Sequence, residues 1–92
     1  MSAFLNDRDQ ERAVAYALQD KDATVTDAVN IEGRKTVTSK VKTPLNDITV
    51  RVAEVMGSGD PECYNAKLRE VTVVYEGADK FVTAYPSDFY RS

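Results

Sequence analysis

Hydrophobic and polar residues alternate along much of this chain with the two-residue period that is typical of half-buried β-strands. The alternation is clearest at Ile48, Val50 and Val52, which are separated by Thr49 and Arg51. Turn-forming glycine, proline and asparagine residues interrupt the pattern at intervals. It predicts five antiparallel strands, over residues 23–31, 35–42, 47–56, 66–76 and 80–86.

A different period near the N-terminus predicts one α-helix over residues 7–20. Val14 and Leu18 lie one helical turn apart, with Ala13 and Ala17 beside them, which is enough apolar surface to dock a helix on a sheet. Asn6 precedes this segment and is a favourable N-cap. We therefore predict an α+β fold with a single domain over residues 1–92, in which the N-terminal helix packs on the antiparallel sheet.

The first predicted hairpin allows two strand registers. A two-residue loop pairs Val29 with Thr36. A three-residue loop instead pairs Val29 with Val37, and it also places Val25 opposite Val41. We predict the three-residue loop, because it sets apolar residues opposite apolar residues.

Three other segments carry structural expectations. Residues 47–56 also fit the spacing of a helix, although their β-branched residues favour a strand. Residues 57–65 are predicted to form a loop, and Pro86 is predicted to end the last strand. The tail behind that proline then either folds back on the edge of the sheet or offers Phe89 and Tyr90 to a partner.

In the last predicted hairpin, side chains that share a strand face are expected to lie at alternate positions. Val71, Val73 and Tyr75 share one face of its first strand. Phe81, Thr83 and Tyr85 share one face of its second strand. Aromatic and β-branched pairs across the two strands then stabilise the hairpin by roughly 0.2–1 kcal/mol each.

The chain has no histidine and no tryptophan, and Cys63 is its one cysteine. Imidazole and thiolate groups carry much of the acid–base, nucleophilic and zinc chemistry of proteins. We therefore expect no metal site, no cofactor and a non-enzymatic function. With one thiol, no secretion-signal pattern and no apolar run long enough to cross a membrane, we expect a cytoplasmic location.

The formal net charge of the chain is −3. An acidic balance argues against a nucleic-acid partner and suits contact with a basic protein surface. We therefore expect a small acidic inhibitor, of the phage anti-defence or immunity type, that blocks a surface of a larger protein. A homo-oligomeric structural or virion component is an alternative. The residues predicted to contact a protein partner are Asp7, Asp9, Glu11, Phe89, Tyr90 and Arg91.

One stretch of the chain is basic despite the acidic total. No acidic residue occurs between Gly33 and Asn46. The predicted register places threonines of both strands on the outer face of the hairpin, beside the basic residues. This basic stripe either protects the sheet edge or contacts phosphate or an acidic partner. It consists of Arg34, Lys35, Lys40 and Lys42.

The end of the chain also resembles a known group. The segment Val73-Val-Tyr-Glu-Gly-Ala-Asp-Lys-Phe-Val-Thr-Ala-Tyr-Pro86 is similar to the closing hairpin of small bacterial ribonuclease toxins of the barnase-like, EndoU-like and RelE-like group. The resemblance implies a ribonuclease with a helix over residues 44–56. It places Thr83 and Tyr85 at active-site positions. Arg51, Lys67 and Arg69 are then the candidate phosphate and transition-state ligands.

Overall fold

One helix and six strands account for most of the described chain. A computed structural model describes residues 2–27, 33–42, 45–55, 57, 59–77 and 80–91. The helix is α1 (Asp7–Gln19), and a short 3-10 helix spans Leu45–Asp47. The strands are β1 (Ser2–Phe4), β2 (Thr24–Asp27), β3 (Arg34–Lys40), β4 (Thr49–Val55), β5 (Pro61–Glu76) and β6 (Lys80–Arg91). All strand pairs are antiparallel, so the predicted α+β fold is confirmed.

The long strand β5 organises the sheet. One of its edges pairs with β4 over residues 61–67 and then with β3 over residues 70–76, while its other edge pairs with β6. The outer strands β1 and β2 pair with β4 and β3 respectively. Between β3 and β4, the backbone stays tied to β5, because Val41 N donates to Arg69 O at 2.8 Å and Leu68 N donates to Ile48 O at 2.9 Å.

Helix α1 covers one face of this sheet. Its N-terminus is capped as the sequence predicts, since Asn6 Oδ1 accepts a hydrogen bond from Asp9 N at 2.8 Å. Ala13 and Ala17 are the fully buried helix residues, whereas Leu18 is 59% exposed. The expectation that Leu18 anchors the helix is therefore wrong. The two alanines face the sheet because their small side chains allow the helix to approach it closely.

The core lies between α1 and the sheet. Leu68, Val71 and Val50 are completely buried, and burying such a side chain contributes roughly 1.5–3 kcal/mol. Buried and exposed residues alternate along β4 as the sequence predicts. The buried hydrophobic residues are Ala13, Ala17, Val37, Val41, Ile48, Val50, Val52, Ala66, Leu68, Val71, Val73 and Ala84.

The observed strands test two predictions, the conformation of residues 47–56 and the register of the first hairpin. Residues 49–55 form strand β4, so this part of the segment is not helical. The predicted register of the first hairpin is wrong by four positions, because Val25 pairs with Val37 and not with Val41. The predicted and the observed register both set Val25 opposite a valine on the same face. Matching of hydrophobic residues therefore could not distinguish between them. The predicted position of Val29 lies outside the described residues.

The loop predicted over residues 57–65 is shorter than expected. Strand β5 already begins at Pro61, so Cys63 and Tyr64 lie in a strand and pair with Ala53 and Val52. A proline can occupy the first position of a strand, where its missing N–H is tolerated. The turn uses Gly57, whose φ of +69° suits glycine.

The prediction that Pro86 ends the last strand is wrong. Strand β6 continues to Arg91, and Pro86 is buried inside it. Since β6 pairs with β5 on one edge, a residue without an N–H can be accommodated there. The carbonyl of Pro86 also accepts a hydrogen bond from Ser2 Oγ at 2.7 Å, which brings β1 to the free edge of β6.

A bulge in β6 changes which residues share a face. Thr83 pairs with Val74, but Phe81 pairs with Tyr75, so Val82 is the extra residue. Successive strand residues point to opposite faces, and the skipped residue therefore moves Phe81 to the helix side. The prediction that Phe81 shares a face with Thr83 and Tyr85 is wrong for this reason.

Candidate protein-binding groove

The bulge places Phe81 next to the helix, where a surface groove opens. The groove has a volume of about 470 Å³. Leu18 and Phe81 are 59% and 50% exposed, although both are large and apolar. The lining residues are Asp7, Gln10, Glu11, Val14, Ala15, Leu18 and Phe81.

Carboxylates border one side of this groove. Asp7 and Glu11 lie one helical turn apart, so their side chains share a helix face with Val14 and Leu18. Asp9, the third acid that the sequence singled out, is engaged elsewhere, since its carboxylate forms an ion pair with Arg12 at 3.3 Å. The groove therefore combines an apolar floor with a rim of two carboxylates.

The C-terminal residues predicted to bind a partner are part of the sheet. Phe89 is half-buried and packs against the core. The Arg91 guanidinium lies 4.3 Å from the centre of the Tyr64 ring and also forms an ion pair with Glu62 at 3.1 Å. Tyr90 is 39% exposed, which leaves it as the accessible aromatic ring of this segment.

The basic stripe is divided by the strand geometry. Arg34 and Lys40 lie on the sheet face opposite α1, which we call the outer face, because they alternate with the buried residues Val37 and Ser39. Lys35 has the same strand parity as Val37 and Ser39, so it points to the helix side. Lys42 borders a cavity beside Asp20, at the end of the helix.

Acidic residues also lie opposite the basic positions of β3. In the strand registers, Lys35 faces Asp27 and Lys40 faces Glu70. Arg34 faces Glu76 in the same way. Each pairing partly offsets the positive charge that the sequence shows as one stripe.

The residues that the ribonuclease resemblance singles out share the outer face. Lys67 and Arg69 lie on β5, and Arg51 lies on β4, while Thr83 and Tyr85 lie on β6. Thr83 and Tyr85 are separated from the three cations along the sheet, so the five residues do not form one compact site. Tyr85 pairs with Thr72, five residues from Lys67, a separation of roughly 17 Å along a strand. The helix that the resemblance implies over residues 44–56 is also replaced by a 3-10 turn and a strand.

Two ionisable side chains have shifted pKa values. The pKa of Asp20 is lowered, mainly because Ser39 donates a hydrogen bond to its carboxylate. The pKa of Tyr64 is raised, mainly because its hydroxyl donates to Glu54 at 2.7 Å. Neither residue borders the groove of Leu18 and Phe81, so these shifts belong to structural contacts.

The groove brings exposed apolar side chains next to two carboxylates. Within the described ranges, no three histidine, cysteine or acidic side chains are grouped as metal ligands. No described helix has the length and apolar character needed to cross a membrane. No protein-family model matches the chain, and no curated protein or solved structure matches it either.

Sequence reasoning identified only part of this groove. It singled out Asp7 and Glu11, but it placed Leu18 on the stripe that docks the helix and grouped Phe81 on one strand face with Thr83 and Tyr85. Leu18 could have been found from the helix itself, since Ala13 and Ala17 define a separate, narrower face. The position of Phe81 depends on the Val82 bulge, for which the sequence has no turn residue as a signal.

Proposed function

We propose that this chain is a non-enzymatic binding protein that blocks a basic surface of a larger protein partner. The observation that carries the proposal is the exposed apolar pair Leu18 and Phe81 beside two carboxylates. An exposed apolar patch with a polar rim is the usual anatomy of a protein-binding surface. We infer that an apolar side chain of the partner enters the groove while its Lys or Arg residues meet Asp7 and Glu11.

The partner is expected to be basic around one apolar anchor. Carboxylates at the rim attract such a surface over a distance and accelerate association at low salt. The apolar contact with Leu18 and Phe81 then supplies most of the affinity, because fully desolvated central contacts dominate binding energy. An inhibitor of this kind needs no catalytic side chain.

A capture experiment with matched variants tests the proposal. The wild-type chain and two variants, Leu18→Asp and Leu5→Asp, would be immobilised. Each would be incubated with a lysate of the cells in which the protein naturally occurs, and the captured proteins would be quantified. Leu5 is also an exposed leucine but does not border the groove, so its variant is the control. We expect at least one lysate protein to bind to the wild type and to Leu5→Asp but not to Leu18→Asp.

The captured protein would then be purified and its activity measured. We expect inhibition on addition of the wild-type chain, and at least a tenfold weaker affinity with Leu18→Asp. Reversal of both rim acids, Asp7→Lys with Glu11→Lys, should weaken binding and flatten its salt dependence. The proposal is wrong if no captured protein distinguishes the Leu18 and Leu5 variants.

A further inference from the structure

The two faces of the sheet carry opposite charge. Among the strand residues of the outer face, six cationic side chains stand against three carboxylates, a net charge of +3, although the whole chain has a net charge of −3. The acids of the outer face are Glu70, Glu76 and Asp88. Its cations are Arg34, Lys40, Arg51, Lys67, Arg69 and Lys80.

Three of these cations occupy neighbouring strand positions, Arg51 on β4 and Lys67 and Arg69 on β5, where β5 also pairs with β6. Arg51 and Lys67 are at diagonal positions of the β4–β5 pair, since Lys67 faces Thr49. Lys67 Nζ donates to Thr49 Oγ1 at 3.0 Å and to Asp47 O at 3.3 Å, which fixes the direction of the side chain. Arg69 follows two positions along β5. We call Arg51, Lys67 and Arg69 the cationic cluster.

An exposed aromatic ring lies beside this cationic cluster. Tyr90 pairs with Lys67 across β5 and β6, and the guanidinium of Arg69 lies 5.1 Å from the centre of the Tyr90 ring. Arg69 also forms an ion pair with Asp88, at 3.9 Å. Tyr85 lies further along β6 and is 42% exposed; it shares the face of Tyr90 because the pairing of β6 with β5 skips Ser87.

We propose that the cationic cluster and Tyr90 bind single-stranded nucleic acid. In this arrangement Arg51, Lys67 and Arg69 contact successive phosphates, and a base stacks on Tyr90. Sequence-independent binding of single strands combines a cationic track with aromatic side chains on which bases stack. Tyr85, about five strand positions or roughly 17 Å away, offers a second stacking ring along the same strand.

The chemistry of the cluster favours a single strand over an acidic protein or a duplex. A carboxylate surface would pair with the cations but would leave the Tyr90 ring without a stacking partner. A duplex hides its base faces, and within the described residues the only α-helix, α1, lies on the other side of the sheet and could not enter a groove from this face. The proposal does not depend on the groove of α1, which lies on the opposite face.

Fluorescence anisotropy with labelled oligo(dT) and oligo(U) tests this inference at several salt concentrations. Three phosphate contacts predict a slope of about −2 in a plot of log affinity against log salt. Charge reversal in Arg51→Glu with Lys67→Glu should weaken binding at least tenfold. The matched control reverses two exposed charges of the helix side, Arg8→Glu with Lys21→Glu, and should retain wild-type affinity.

Stacking is tested separately. Tyr90→Ala should weaken binding by about 5- to 150-fold, whereas Tyr90→Phe should retain it, since stacking of one base contributes roughly 1–3 kcal/mol. Circular dichroism would verify that each variant is folded. The proposal is overturned if no binding occurs at low salt, or if the control reversal weakens binding equally. Competition by polyglutamate as strong as that by the oligonucleotide would instead assign the cluster to an acidic protein.

Discussion

Ser39 Oγ donates a hydrogen bond of 2.5 Å to Asp20 Oδ2, which joins the core face of β3 to the end of helix α1. An acid at a helix C-terminus is normally unfavourable, because the helix dipole is negative there. Asp20 is held in place by Ser39 and by the backbone N–H of Asp22, which donates to Oδ1 at 3.0 Å. Ser39 is only 1% exposed, so this carboxylate also provides the partner that a buried hydroxyl requires.

The Asp20 contact predicts a pH-dependent contribution to stability. The pKa of Asp20 in the folded chain is lowered, first by the Ser39 hydrogen bond and then by that of Asp22. A lowered folded pKa means that the contribution is present above the unfolded carboxyl pKa and is lost as the pH falls through the folded pKa. We expect Ser39→Ala to lower Tm at neutral pH, with a difference from the wild type that narrows as the pH falls below the ordinary carboxyl range.

Thermal unfolding followed by circular dichroism across that pH range measures this effect. Asp20→Asn is the second variant, because it keeps the shape of the side chain and removes its titration. Its Tm should vary less with acid pH than that of the wild type. A Tm difference between Ser39→Ala and the wild type that stays constant from neutral to acid pH would show that the carboxylate is not involved.

Leu68 and Leu18 are predicted to contribute very differently to the free energy of unfolding. Leu68 is completely buried in the centre of the sheet, whereas Leu18 is 59% exposed in the groove. Leu68→Ala should cost about 2–5 kcal/mol in unfolding free energy, because it removes apolar contacts and leaves a cavity. Leu18→Ala should change it by less than about 0.5 kcal/mol. Urea unfolding of both variants tests the pair, and similar losses would mean that the groove is part of the core.

The close approach of α1 to the sheet gives a third prediction. Ala13 and Ala17 have 0% and 1% exposure, so no space remains for a larger side chain at either position. Ala13→Leu should destabilise the fold by about 1–3 kcal/mol through overpacking. Ala15→Leu is the matched control, since Ala15 is exposed on the same helix and its substitution should be nearly neutral. Denaturant midpoints of the two variants provide the comparison.

The elements that depend on local signals could be predicted from the sequence. Asn6 caps α1 as expected, and the alternation of Ile48, Val50 and Val52 correctly separates the buried from the exposed face of β4. These features depend on neighbouring residues alone. A fold of one helix on an antiparallel sheet follows from them without knowledge of the strand order.

The features that were missed depend on contacts between distant segments. Pro86 lies inside β6, where it pairs with Val71 of β5, and its carbonyl accepts a hydrogen bond from Ser2, far away in the sequence. Phe81 reaches the groove because the pairing of β5 with β6 skips Val82. The ribonuclease resemblance did single out Arg51, Lys67 and Arg69, but the neighbouring positions of Arg51 and Lys67 come from the β4–β5 register and not from a local signal.

The hydroxyl of Tyr64 provides a fourth prediction, at alkaline pH. Its pKa is raised, first because it donates a hydrogen bond to Glu54 at 2.7 Å. We expect the ultraviolet absorbance of tyrosinate to show one group that ionises above the ordinary tyrosine range and is absent from Tyr64→Phe. Glu54→Gln should lower the pKa of Tyr64, because it removes the negative charge beside the hydroxyl.

This shift also affects stability. A raised folded pKa gives a contribution that is fully present below the unfolded tyrosine pKa and is lost as the pH rises through the folded pKa of Tyr64. The difference in Tm between the wild type and Tyr64→Phe should therefore narrow in alkali. Arg91, which lies over the Tyr64 ring, acts in the opposite direction because its positive charge favours the phenolate. Arg91→Gln should consequently raise the pKa of Tyr64 further, and a fall in that pKa would contradict this arrangement of charges.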